Sequence, residues 1–559
     1  MSTQIVECVP NFSEGRDQST IGAIAEAMQS VNGVSVLDVD PGVDTNRTVY
    51  TFVGAPDAVL DAAFAGIRVG VERIDMRKHR GEHARIGAVD VTPFVPVAGI
   101  SMEKCVELAR KLGERVANEF GVPVYLYEEA ATCEQRRNLS VIRAGEYEGL
   151  AAKLEDPEWK PDFGPAIFNP RLGAFVIGAR KFLIAYNVNL NTRDAKLAND
   201  IALQIRERGR LLRDANGNRI IGEDGVPLRS EGRLKECKAM GWYIGSYGQA
   251  QVSMNLTDYH VTSMHAALEA VRDEAQKRGL IVTGSELVGL IPKDAILESG
   301  RYYLKLQGRS WGVPENELID TAVMSMGLSQ LSTFDPRKKI IEMCVDNVDS
   351  RLVRYTVAGF VDECSRDTPA PGGGSVAALS GALGASLVCM VANLTVGKSG
   401  YEDVWDLMKE VAAEAQSLKD FFLLAVDRDS DAFKTVMAGY GMPKGTLEQK
   451  TARIEAIAKA TKSATLVPFE VLQAIPRAME LAISVASKGN KNSVSDAGVA
   501  ASSLRTAAEG AWLNVRINLA GLDDSEFRGK LLEEGHALLR TVNERLEEAR
   551  RMVDVSIGS

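Results

Sequence analysis

The chain has little with which to build a thiolate metal site or a disulfide framework. Its 559 residues hold seven cysteines, at 8, 105, 133, 237, 344, 364 and 389, an odd and scattered set without a CxxC pair. Neither construction is suggested, and a reducing cytoplasm fits best. Cationic excess is also missing. Sixty-five Lys and Arg stand against 75 Asp and Glu, a net charge of −10, which argues against a general nucleic-acid surface, because phosphate binding rests on clustered cations. The start, MSTQIVECVPNF, shows no basic segment followed by an apolar stretch, and no apolar run of about 18 residues stands out as a membrane span. A soluble, cytoplasmic protein without nucleic-acid or membrane partners is expected. With 45% hydrophobic and 25% charged residues, the composition is that of an ordinary globular chain, and its length implies about three or four domains.

Three regions follow one another. In the first, short β-rich runs alternate with amphipathic runs: IVECV, a helix at 19–31, VSVLDVD, RTVYTFV, a helix at 55–74, DVTPFVPV, a helix at 102–120, then PVYLYEEA. A similar order returns with FLIAYNVNL, a helix at 194–210, a hairpin within 237–256, a helix at 261–279 and LIVTGS. Both stretches read as split βαβ units of the ferredoxin-like kind. The Gly-, Asn- and Asp-rich 211–233 segment reads as a surface excursion. Beyond 350, helical periodicity with Ala-rich runs dominates, as in a compact bundle or a bundle-forming oligomer. The fold expected is therefore α+β, with two ferredoxin-like subdomains at 1–180 and 181–330, a linker at 331–349, and an all-α domain at 350–559. The Ala-rich run at 375–394 reads as a core helix.

Two of the five histidines sit in MRKHRGEHARIGAVD (76–90). His79, Glu82 and His83 have the spacing of an HxxEH zinc motif, but Gly81 weakens a helix there and four nearby cations oppose a dication. The alternatives are a charged surface turn, or a base for an anionic substrate: a histidine flanked by cations has its pKa pushed down and keeps a lone pair near neutral pH. TPAPGGGSVAA (368–378) puts three glycines before a Ser able to cap a helix. It is either a turn with a cap or a loop whose backbone N–H groups hold a carboxylate or a polar heterocycle; no GK[ST] follows, so it is no Walker loop. In AVDRDSDAF, Asp427, Asp429 and Asp431 cannot share one helix face, so one carboxylate can turn inward while the others meet solvent.

Taken together, VECVPNFSEGR, LDVDPGVDTNRTVYTFVG, DMRKHRGEHARIGAVDVTPFVPV, PVYLYEEAA, IRAGEYEGL, PDFGP, GARKFLIAYNVNL, GRLKECKAMGWY and QVSMNLTD resemble the formiminotransferase domain. APGGGSVAA, DSDAF and the Ala-rich helices resemble the cyclodeaminase domain that follows it in the formimidoyltransferase-cyclodeaminase family. The resemblance implies transfer of a formimino group from N-formimino-L-glutamate to tetrahydrofolate, a polyglutamylated co-substrate. Ring closure of 5-formimino-tetrahydrofolate to 5,10-methenyl-tetrahydrofolate, with loss of ammonia, would follow. It places the catalytic histidine at His83 and the catalytic aspartate at Asp429. Folate or substrate contacts fall on Gly164, Pro165, Ala166, Ile167, Phe168, Asn169, Pro170, Arg171, Leu172 and Gly173, on Gly232, Arg233 and Lys235, and on Gly372, Gly373 and Gly374. Asn514 and Asn518 are weaker candidates. No metal is expected, and the helical domain is expected to form a homo-oligomer. A chain in which only the transferase works, the helices serving assembly, and a non-catalytic folate-binding protein are the competing classes.

Overall fold

A computed structural model describes residues 4–43, 45–81, 83–223, 225–345 and 351–558. They form two compact units, Met1–Ile296 with Met326–Asp346, and Leu297–Ser325 with Asn347–Ser559.

The first unit contains two sheets. Strands β1 (Ile5–Cys8), β2 (Asn11–Phe12), β3 (Val34–Gly42), β4 (Arg47–Gly54), β5 (Val89–Ala98), β6 (Val124–Glu128) and β7 (Phe175–Ala179) share one. β5, β1, β4 and β3 are successive antiparallel neighbours, β2 lies between β4 and β5, and β7 then β6 extend the sheet in parallel beyond β5. β2 and β7 were not foreseen. Helices Gln18–Gln29, Pro56–Arg73 and Met102–Phe120 cover one face. The last of these shows why its sequence is helical: Ser101 accepts from the Lys104 N–H at its start, and Gly121 takes the left-handed conformation (φ 62°) at its end. Between them, Cys105, Leu108, Leu112 and Val116 line one buried stripe. On the opposite face, helices Leu139–Ile142 and Glu146–Glu155 cover only the β6–β7 side, over Tyr125, Tyr127 and Val176.

The second sheet holds β8 (Ile184–Leu190), β9 (Cys237–Ile244), β10 (Gln249–Leu256) and β11 (Val282–Val288), in the order β11-β8-β10-β9 with every neighbour antiparallel. Helix Ala195–Ile205 joins β8 to β9, and Met264–Gln276 joins β10 to β11. Gly241 lets the first helix close on β9, since a Cβ there would stand 1.9 Å from the Asn199 nitrogen. The 211–229 excursion is held by isolated bridges such as Leu211 with Arg229.

Two of the expected boundaries differ from what the structure shows. Residues 335–345 are not a free linker: Pro336–Lys339 and Ile341–Val345 are short helices, Ile340 is buried, and Ile291 donates to the Lys339 carbonyl at 2.9 Å. Ile340 and Ile341 are buried, with Ile340 bridging Ile291, which the Lys- and Arg-rich surroundings hid. Residues 346–350 of the expected linker lie outside the described set. In addition, Leu297–Ser325 packs with the helical unit.

That unit is built from long helices at Gly373–Asn393, Trp405–Tyr440, Leu447–Lys488, Val494–Ala520 and Ser525–Ile557. Small residues set their close approach: a Cβ at Gly381 would meet the Phe422 ring at 3.0 Å, and one at Gly535 would stand 2.1 Å from Trp512. Contrary to the reading that no run suffices, Gly373–Asn393 is long and apolar enough to cross a membrane. Most of it is buried among its neighbours. At Gly312, the carbonyl accepts from Asn393 Nδ2 at 2.7 Å and from Cys389 Sγ at 3.2 Å, and a Cβ would lie 2.3 Å from the Ala412 backbone.

Candidate active sites

The described residues from 75 to 81 and from 83 to 85 form turns and irregular backbone rather than a helix, so the two histidines do not share a helical face. His79 is buried, with Nε2 on the Asn46 carbonyl at 2.7 Å and Nδ1 accepting from Arg85 Nε at 3.3 Å. Both nitrogens are engaged, and burial first, then Arg85, lower its pKa. It is a strut: Asn46, at φ 48°, also donates from Nδ2 to the Arg80 carbonyl at 3.0 Å and accepts from the Gly15 N–H at 3.0 Å. Gly81 is pressed against Thr45, whose carbonyl oxygen would be 2.1 Å from a Cβ. Arg85 is anchored in turn by Glu146 (2.9 Å) and Glu148 (2.7 Å). Glu82 lies outside the described residues, and among those described no three His, Cys, Asp or Glu side chains are gathered for a metal ion.

His83 is half-buried and placed differently. Its Nδ1 lies 2.7 Å from the Ala84 carbonyl; since a carbonyl only accepts, Nδ1 carries the proton and the Nε2 lone pair is left available. Its pKa is lowered by burial first and then by Arg47 and Arg143, with the Ala84 carbonyl and Asp90 opposing. Those neighbours are a consequence of strand geometry. The β2–β5 register shifts so that Phe12 pairs with Val89 and Asn11 with Val91, which leaves Asp90 as the extra residue of a bulge. Fully buried, Asp90 is held by both Arg143 nitrogens facing it, one at 3.2 Å, and by Arg47 at 3.6 Å. Two guanidiniums on one carboxylate leave a net positive surrounding for His83, suited to an anionic substrate.

Of the 164–173 stretch, the second half backs this loop. Met76 donates to the Arg171 carbonyl at 2.9 Å, Gly173 bridges Gly87, and Phe168 packs with Tyr147 at 5.5 Å between ring centres. Ile167 is 70% exposed. Gly232, Arg233 and Lys235 lie at the approach to β9: Gly232 abuts the Arg206 carbonyl, and Arg233 pairs with Asp273 at 2.6 Å.

In the helical unit, Gly374, Ser375 and Asp429 come together. A Cβ at Gly374 would stand 2.1 Å from Asp429 Oδ1, and one at Gly373 would meet Asn514 Nδ2 at 3.1 Å. The glycines are therefore needed for close approach. Ser375 is no cap: Gly372 occupies that position, while the Ser375 hydroxyl lies 2.8 Å from the Val426 carbonyl and 3.3 Å from Asp429 Oδ2. Burial raises the Asp429 pKa, and hydrogen bonding from Ser375 pulls the other way. Asp427 accepts from the Leu352 N–H at 2.7 Å, and Asp431 is exposed beside Lys434. Asn518 donates to the Ala464 carbonyl at 3.1 Å, away from this cluster.

Residues 5–180 match the model of the formiminotransferase domain, N-terminal subdomain, residues 185–346 that of the formiminotransferase domain, and residues 356–537 that of formiminotransferase-cyclodeaminase. Over 97% of its length the chain is 43% identical to the formimidoyltransferase-cyclodeaminase of Gallus gallus, spanning 99% of that protein. The chain belongs to the formimidoyltransferase-cyclodeaminase family. Each half of this formimidoyltransferase-cyclodeaminase family member also has relatives of its own. Glutamate formimidoyltransferase of Thermoplasma acidophilum is 45% identical over 54% of the chain and 93% of that protein. Methenyltetrahydrofolate cyclohydrolase of Methylorubrum extorquens is 42% identical over 34% of the chain and 94% of that protein.

Within this family framework, sequence reasoning missed Arg47, Asp90 and Arg143 as the surroundings of His83. The one available signal was Asp90 itself, a carboxylate inside the apolar strand run VDVTPFVPV.

Proposed function

We propose that the first unit transfers the formimino group of N-formimino-L-glutamate to N5 of tetrahydrofolate, and that the helical unit closes the product to 5,10-methenyl-tetrahydrofolate with release of ammonia. The observation that carries this reading is kinship along the full chain with bifunctional relatives, while a transferase and a methenyltetrahydrofolate enzyme each match part of it.

In the first unit His83 acts through Nε2. As N5 attacks the formimino carbon it becomes cationic; His83 takes its proton, and the resulting imidazolium returns one to the nitrogen of the departing glutamate. In the second, N10 adds to the formimino carbon, and the protonated Asp429 carboxyl supplies the proton with which ammonia leaves. The Gly372–Gly374 backbone lines that site. The second sheet, by its strand order, is read as ferredoxin-like. Free cysteines among the described residues suit a reducing cytoplasm. A stripe of Val376, Leu383 and Met390, each more than a third exposed along one helix, supports homo-oligomerisation through the helical unit.

The test is to supply both substrates to the purified protein and follow ammonia and the methenyl chromophore together. Equal amounts are expected, with both rates unchanged after EDTA treatment. Transfer without ammonia would leave the transferase-only reading, in which the helices serve assembly.

A further inference from the structure

Resting on that reading, we infer that Asn514 is a specificity-determining residue of the cyclodeaminase site: its Oδ1 accepts from the nitrogen that leaves as ammonia and turns that nitrogen's lone pair toward Asp429. Helix Gly373–Asn393 starts between two others, Trp405–Tyr440 with Asp429 and Val494–Ala520 with Asn514, and packs against both. Successive positions on a helix point about 100° apart, and here two successive glycines are occupied from different sides. The Asp429 carboxyl takes the Cβ position of Gly374, and the Asn514 amide crowds that of Gly373. Gly373 is exposed, so the terminus between the two side chains is open to a ligand.

The orientation of that amide is fixed by its own helix. Asn514 Nδ2 donates to the Gly510 carbonyl at 2.8 Å; a carbonyl only accepts, so the group Asn514 offers beyond its own helix is the Oδ1 acceptor. Gly510 is held in turn, since a Cβ there would stand 3.0 Å from the Ala377 Cβ on the neighbouring helix. Asn518, one turn on, spends its amide differently. Pro468 has no N–H, which deprives the Ala464 carbonyl of its helical donor, and Asn518 Nδ2 supplies one at 3.1 Å. One asparagine thus repairs a helix, while the other keeps an acceptor beside the acid.

The chemistry needs that acceptor. When N10 adds to the carbon of the protonated formimino group, the π pair moves to the terminal nitrogen, which becomes an amine with two N–H bonds and one lone pair. Asp429 can give its proton only to the lone pair. The C–N bond then breaks with its electrons on ammonia, the N5 lone pair forms the C=N bond of the methenyl product, and the proton that N10 sheds returns to Asp429. An acceptor holding an N–H on one side leaves the lone pair facing the other. A formyl oxygen in the same place carries no hydrogen and meets Oδ1 lone pair to lone pair, so the same atom selects formimino over formyl.

Cyclisation of supplied 5-formimino-tetrahydrofolate by the full chain tests this, with 5-formyl-tetrahydrofolate as the competing inhibitor. Asn514→Ala is expected to lower kcat/KM for cyclisation about 10²-fold. The Ki of the 5-formyl compound against that reaction should not rise, and formimino transfer in the same protein should be unchanged. The retained Ki reports an intact pocket, and circular dichroism melting a folded bundle. An unchanged cyclisation rate overturns the assignment. So does a Ki that rises as far as kcat/KM falls, because a lost ring contact or a collapsed pocket weakens both ligands alike. Either result leaves the functional reading standing. A wild-type chain that does not cyclise 5-formimino-tetrahydrofolate overturns that reading, and the assignment with it.

Discussion

His83 in the sheet-based unit and Asp429 in the helical unit are both half-buried, and burial is the first cause of both pKa shifts, yet the shifts run in opposite directions. Withdrawal from water penalises whichever form is charged. For the imidazole that form is the acid, so His83 is held as a neutral base; for the carboxyl it is the base, so Asp429 is held toward its neutral acid. The neighbours sharpen the contrast. His83 has two guanidiniums nearby, which deepen its shift, whereas Arg428, next to Asp429 in sequence, turns to Glu470 at 2.7 Å. A guanidinium on Asp429 would have lowered its pKa and cost it the proton. One physical effect thus prepares a proton acceptor in one unit and a proton donor in the other.

The largest expected effect separates the two groups outright. His83→Ala should lower formimino transfer by about 10² to 10⁴ and leave cyclisation of supplied 5-formimino-tetrahydrofolate intact. Asp429→Asn should do the reverse, with 5-formimino-tetrahydrofolate accumulating in solution. Loss of both activities in either well-folded variant would falsify the separation.

Gly374→Ala comes next. Its Cβ would displace the Asp429 carboxylate, and misplacement on that scale costs about 10² in rate; cyclisation should fall while transfer holds. A normal cyclisation rate in this variant would mean that the loop yields and does not fix the carboxylate.

Smallest are two shifts in pH profile. The neutral form of His83 is present above its lowered pKa and lost as pH falls through it, so the acid limb of transfer should lie below the 6.5 of an unperturbed imidazole. Arg47→Met removes a cation and should move that limb up. For Asp429, Ser375→Ala removes the hydrogen bond that holds the pKa down, so the alkaline limb of cyclisation should also move up. A limb that moves down in either variant would assign the titration to another group.

The alternation of strands and helices and the helical character beyond 350 were legible because each is written in local periodicity, whereas that periodicity said only that one of Asp427, Asp429 and Asp431 can turn inward, and family resemblance singled out Asp429. β7 was not legible: FVIGA is five residues long and buried throughout, and such a run has no alternation to read. The surroundings of His83 were hidden for another reason. Arg47, Asp90 and Arg143 come from β4, from a bulge in β5 and from the end of a four-residue helix, and only tertiary pairing brings them together. His79 illustrates the converse, since its spacing suggested a ligand while its two nitrogens hold a loop together.

The packing around Gly312 bears on how the two activities could ever be separated. By unit membership the chain changes sides three times, after Ile296, after Ser325 and again near residue 346. A gene split at the sequence-obvious breakpoint, within 331–349, would leave Leu297–Ser325 on the wrong half. The downstream product would begin life without the carbonyl that receives Asn393 and Cys389. Fission here therefore asks for compensation, or for the two half-genes to overlap.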